Sequence, residues 1–113
     1  NWEVLGKVAE IVHQTDTLFL GNGDIKSVSD AHEKIKKYGT DGALVGRAVC
    51  GNPWFFKGYE PTIKDRFDAA LDHARYFEET IMDHAFFAMR KHLGWYCSNF
   101  DGAKDLRKLA DNL

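Results

Sequence analysis

Two short glycine-containing stretches are the places where this sequence could do chemistry. Gly21-Asn22-Gly23-Asp24 follows the apolar run Thr17-Leu18-Phe19-Leu20, and Gly46-Arg47 ends a second run, Gly42-Ala43-Leu44-Val45-Gly46. Glycines let backbone N–H groups approach a phosphate closely. Arg47 offers a charge-assisted, bidentate contact to the same group, and Asn22 offers an amide to a ligand ring. Either loop also has an ordinary reading. Gly-Asn-Gly-Asp is a common turn sequence, and an arginine after a strand is often simply solvated. The two loops together, one helix apart, point to a phosphate-bearing ligand. Asp24 is expected to cap the next helix or hold the loop, because its carboxylate would repel a phosphate.

The flanking residues say which elements position these loops. Leu5, Val8, Ala9 and Val12 recur at helical spacing, which predicts a helix over 1–15. The continuous apolar runs at 17–20 and 42–46 predict two short strands buried on both faces, as in parallel sheets. Between them, Val28, Ala31, Ile35 and Tyr38 predict a helix over 27–38. Ser27 and Asp30 have the spacing of a capping box, and Gly39 suits the left-handed residue after the last turn. Pro53 is placed to open a short helix. This alternation is that of a parallel α/β fold. In such folds ligands bind at the carboxyl ends of the strands. In an eight-stranded barrel a phosphate often sits at the loops after the last two strands.

Beyond residues 57–61, a linker with one glycine and one proline, the pattern becomes all-helical. Thr62 and Asp65 form another candidate capping box. Ile63, Phe67, Ala70, Leu71, Ala74, Phe77 and Ile81 then continue one stripe. Phe86, Met89, Leu93 and Tyr96 mark a second helix, and Ala103, Leu106, Leu109 and Ala110 a third. The composition, 44% hydrophobic and 28% charged, is that of a globular protein and excludes a disordered tail or a disulfide scaffold. No uncharged run approaches a membrane span, and no basic-then-apolar leader opens the chain, so a cytoplasmic protein is expected. Cys50 and Cys97 make neither a metal spacing nor a redox pair, and no metal site is expected. The net charge of -2 conceals a division. Residues 60–83 hold three basic and seven acidic residues, net -4, whereas residues 84–108 hold five basic and two acidic, net +3. A basic segment is the footprint expected for phosphate contacts along a nucleic acid. Trp95 and Tyr96 beside it are read as packed in the bundle rather than stacked on RNA, and His73 and His84 as surface or structural residues.

Four separated motifs resemble one known family. Leu20-Gly21-Asn22-Gly23-Asp24-Ile25, Asp41-Gly42-Ala43-Leu44-Val45-Gly46-Arg47, Gly51-Asn52-Pro53-Trp54-Phe55 and Met89-Arg90-Lys91-His92-Leu93-Gly94-Trp95-Tyr96 are similar, in order, to motifs of the bacterial tRNA-dihydrouridine synthases. The resemblance implies a flavoenzyme that uses NADPH to reduce the C5–C6 double bond of uridines in tRNA, with FMN on a TIM barrel and a helical domain that holds the tRNA. By position, Asn22, Gly23, Asp24, Gly46 and Arg47 would bind FMN, chiefly its phosphate. Arg90, Lys91 and His92 would face the tRNA backbone. The fold expected is α/β plus all-α: residues 1–56 the last two βα units of the barrel, 57–61 a linker, and 62–113 a C-terminal helical bundle.

The sequence also departs from the family. The cysteine that serves as general acid lies on a mid-barrel loop that is not in this sequence, and Cys50 stands where the family usually has an aliphatic residue. No catalytic residue is therefore assigned. The piece is expected to supply phosphate contacts and tRNA docking but no reductase activity by itself. The alternative is a non-catalytic RNA-binding module. Two strands cannot close a barrel, so their exposed edges are expected to drive association between copies or to leave the first half loosely ordered. Light scattering checks this: a compact monomer with uniformly protected amides over residues 1–50 would contradict it.

Overall fold

The computed structural model describes residues 1–81 and 86–110; His84 lies outside them. The order is α1 (Trp2–Val12), β1 (Leu20–Asn22), α2 (Val28–Tyr38), β2 (Gly42–Leu44), α3 (Ile63–Thr80), α4 (Arg90–Tyr96) and α5 (Ala103–Ala110), with single 3-10 turns at Arg47–Val49, Phe55–Lys57 and Phe86–Met89. The chain forms two compact units. One comprises residues 1–49 and 55–58, the other 50–54 and 59–113. Mostly helical, it carries one sheet among the described residues, of two strands.

In the first unit β1 and β2 pair in parallel, Leu20 opposite Gly42 and Asn22 opposite Leu44. α2 is the crossover between them. The Ser27 hydroxyl accepts from the Asp30 N–H, and Gly39, at φ 66°, ends the helix in the left-handed conformation. The capping box is only half made. The Asp30 carboxylate takes the Lys26 N–H and the Lys34 ammonium instead of reaching back to Ser27. Ile25, Ala31 and Phe55 are the buried centre of this unit, with Trp2, Val28 and Val49 packed against them.

Both strands differ from the sequence expectation. β1 starts at Leu20 rather than near Thr17, because the residues before it are already committed. Thr17 is tied to the Thr15 hydroxyl, and Phe19 bonds to Asp41 outside the ladder. Burial on both faces is not found. Leu20 and Leu44 are half exposed and Leu18 is 78% exposed. A two-stranded sheet leaves each strand one unpartnered edge and too little cover for its larger side chains. The helix expected from Pro53 is a 3-10 turn over Phe55–Lys57, preceded by Gly51 at φ 68°.

In the second unit α3 opens on a complete capping box between Thr62 and Asp65. The expected second helix is divided into a 3-10 turn and α4, with Met89 fully buried at their junction. Phe67 meets Phe100 and Phe77 meets Phe86 edge to face, which holds α3 to the segments that follow it.

One packing contact shapes the first unit's loop. The Trp2 indole N–H donates to the Gly23 carbonyl at 2.7 Å, and a Cβ on Gly21 would overlap the same ring. Gly21→Ala is expected to cost about 1–3 kcal/mol, the usual penalty of overpacking. A lowered urea midpoint with an unchanged slope is the readout.

Candidate functional site

Because β1 and β2 are parallel and in register, the loops that follow them leave the sheet at the same end. Residues 22–26 and 46–48 line a cleft of about 670 Å³ there. Gly23 (φ 137°) and Asp24 (φ 47°) turn the chain sharply after β1. The Gly23 carbonyl is turned toward Trp2, so the Asp24 N–H of the same planar peptide points the opposite way. After β2, Val49 N–H closes the 3-10 turn on the Gly46 carbonyl at 3.2 Å. The N–H groups of Arg47 and Ala48, in the first turn, have no partner within it. A Cβ on Gly46 would meet nothing within 4 Å. Packing does not require a glycine there.

Arg47 and Asp24 form an ion pair across the cleft, with both side chains largely in water. Asp24 thus faces the cation of the second loop and does not cap the next helix, where Ser27 is the cap. The guanidinium keeps donors beyond those facing Asp24. All five residues expected here (Asn22, Gly23, Asp24, Gly46 and Arg47) line this one cleft. Sequence reasoning missed Lys26, which adds a second cation, and Trp2, which sets the loop. Lys26 was legible as the next basic residue in the same loop. Trp2 was not, because its contact spans 21 positions. The arrangement suits an anion: two cations and first-turn amides at the carboxyl ends of parallel strands.

The second candidate surface is α4. Arg90, Lys91 and His92 are consecutive, so they point about 100° apart and do not share one direction. Lys91 is exposed, with Nζ 5.9 Å from the centre of the Trp95 ring. Arg90 is partly buried, and its Nε is enclosed without a partner among the described residues. His92 packs edge to face against Trp95 and against His73, each at 4.9 Å. Burial, then the charges of His73 and Lys91, hold its pKa below the ordinary histidine value. Tyr96 is buried, which pushes its phenol up, and its hydroxyl lies 3.3 Å from His73 Nδ1. His73 is therefore a structural partner, within the range expected for it. On α5, the Arg107 guanidinium donates to the Cys97 carbonyl at 3.0 Å and closes the end of α4.

The dihydrouridine synthase family model matches residues 1–113. The chain belongs to this family. It is 32% identical, over 88% of its length, to a "Probable tRNA-dihydrouridine synthase" of Rhizobium leguminosarum bv. phaseoli, covering 32% of that protein. It is 32% identical, over 95% of its length, to "Probable tRNA-dihydrouridine synthase 1" of Synechocystis sp., covering 32% of it. To "tRNA-dihydrouridine synthase B" of Pseudomonas syringae pv. tomato it is 29% identical over 94% of its length, covering 35% of that protein. The chain spans about a third of the length of the curated relatives it matches. No helix among the described residues is long and apolar enough to cross a membrane.

His92 gives a pH dependence with a definite sign. Its folded pKa lies below that of the unfolded chain, so at mildly acid pH the folded state binds fewer protons than the unfolded one. The stabilisation from neutral His92 is complete above the unfolded pKa of about 6.5 and is lost as pH drops through the folded value. His92→Gln should flatten this loss, seen as a smaller fall in melting temperature between neutral and mildly acid pH.

Proposed function

We propose that this chain is the part of a flavin-dependent tRNA-dihydrouridine synthase that holds the FMN phosphate and docks the tRNA. The observation that carries the reading is the cleft in which both glycine-bearing loops meet at one end of the parallel pair. The two βα units take the place of the last two of an eight-stranded barrel, and residues 62–113 form the helical tRNA-binding domain. Arg47 donates to the phosphate and Lys26 adds charge. The first-turn amides of Arg47 and Ala48 supply neutral donors, and Asn22 meets the ligand beyond the phosphate. Asp24 keeps Arg47 oriented. The cleft's size and donor set fit a phosphate with part of its attached chain. Bound flavin would supply the hydride chemistry at the uridine C5–C6 bond, with NADPH as reductant. On α4, Arg90 and Lys91 meet the tRNA backbone, and His92 completes the same turn as a neutral group. The setting is the cytoplasm.

A second reading, a non-catalytic RNA-binding module, draws on the charge division alone. Salt-dependent tRNA binding without any flavin binding would favour it.

Flavin titration tests the leading reading. The chain should quench FMN fluorescence on binding. Arg47→Ala should weaken that binding about tenfold or more, the scale of a hydrogen bond to a charged group. Asp24→Asn should weaken it less than Arg47→Ala, since the loss of the carboxylate that orients Arg47 is offset by the removal of a like charge beside the phosphate. Given tRNA, FMN and NADPH, the chain by itself should form no dihydrouridine; product in that assay would contradict the division of labour.

A further inference from the structure

We propose that Trp95 is a stacking platform for an unpaired nucleotide of RNA, held ready on α4 before RNA arrives. This rests on the reading of α4 as an RNA-docking helix and deepens it by naming the residue that distinguishes unpaired RNA from duplex. The sequence alone favoured burial of both Trp95 and Tyr96 in the bundle. The structure separates them: Tyr96 is 8% exposed and Trp95 is 38% exposed.

The surroundings of Trp95 supply charge and rigidity. Lys91 lies one turn back on the same face, with Nζ 5.9 Å from the ring centre. That is the outer limit of a cation–π contact, so the ammonium gives up little by leaving the ring for a phosphate while a base takes its place. The ring and backbone of Trp95 are held from three sides. The His92 ring stands at 86° to it, 4.9 Å away. The Ser98 hydroxyl donates to the Trp95 carbonyl at 2.8 Å. Gly51 lies so close beneath that a Cβ there would overlap the Trp95 carbonyl group and come within 2.9 Å of Tyr96 N. A platform fixed in this way loses little freedom on binding. An exposed indole with a cation one turn away, on a segment of net charge +3, matches single-stranded nucleic acid. The ring accepts the π-face of any base, and the cation takes the backbone.

The chain with 5-fluorotryptophan in place of its three tryptophans gives the direct test. The Trp95 resonance, assigned by its loss in Trp95→Phe, should shift on addition of an unmodified tRNA transcript. It should stay in place with a fully paired RNA duplex of the same length. In binding titrations Trp95→Leu should weaken tRNA binding about tenfold without changing the slope of log affinity against log salt, and Trp95→Phe should restore most of it. Lys91→Ala should instead reduce that slope by about 0.7. A Trp95 resonance that does not move, or equal loss on tRNA and duplex, overturns the stacking role. If Trp95→Leu fails to fold, the fluorine spectrum of the tryptophan-containing chain decides. If that chain does not bind tRNA, or if neither Arg90→Ala nor Lys91→Ala changes the slope, the docking reading fails and the platform with it. Changed slopes beside an unmoved Trp95 resonance defeat the platform alone.

Discussion

A single carboxylate sets the register on which the cleft depends. Asp41 Oδ2 accepts from the Phe19 N–H at 2.7 Å and from His13 Nε2 at 2.8 Å, while the Asp41 N–H donates to the Phe19 carbonyl at 2.9 Å. Both backbone polar groups of Phe19 are thereby committed to one residue, immediately before the ladder begins. The next pair must be Leu20 and Gly42. A slip by one residue would send every side chain to the opposite face and take Gly21 away from Trp2. Because the register holds, Asn22 and Leu44 end level and their loops emerge side by side. The Phe19 hydrogen bond and then His13 hold the Asp41 carboxyl below the usual carboxylate range, so it remains an acceptor at neutral pH.

Much of this was legible in the chain because it is local. Ser27, Gly39, Thr62 and Asp65 act within one helical turn, and their spacing predicts their roles directly. The loop residues were legible for another reason. Two apolar runs joined by one helix place the loops after them at the same end of a parallel pair, which is where the structure has them. The illegible features are the non-local ones. Asp41 reads as a surface residue until Phe19 is placed beside it, 22 positions away. The exposure of Leu20 and Leu44 depends on how many strands share the sheet, which no run of apolar residues can express.

The helical unit shows the same limit in its electrostatics. Arg90, Lys91 and His92 read as one basic cluster because they are adjacent. In three dimensions they diverge: one reaches solvent, one is partly enclosed, and one joins an aromatic group with His73, Tyr96 and Trp95. The basic character of this segment is therefore a property of a few side chains rather than of the whole turn. His92 shapes the surface through its packing.

The contact between Trp2 and the loop after β1 has a consequence for how such sequences can vary. The indole fills the space that a side chain at position 21 would need, and its N–H fixes the carbonyl of residue 23. Positions 2 and 21 are thus one choice rather than two. A larger residue at 21 is tolerable only with a smaller one at 2, and that exchange would give up the bond to Gly23. The first turn of the first helix and the loop after β1 can drift only together, although nineteen positions separate Trp2 from Gly21 along the chain.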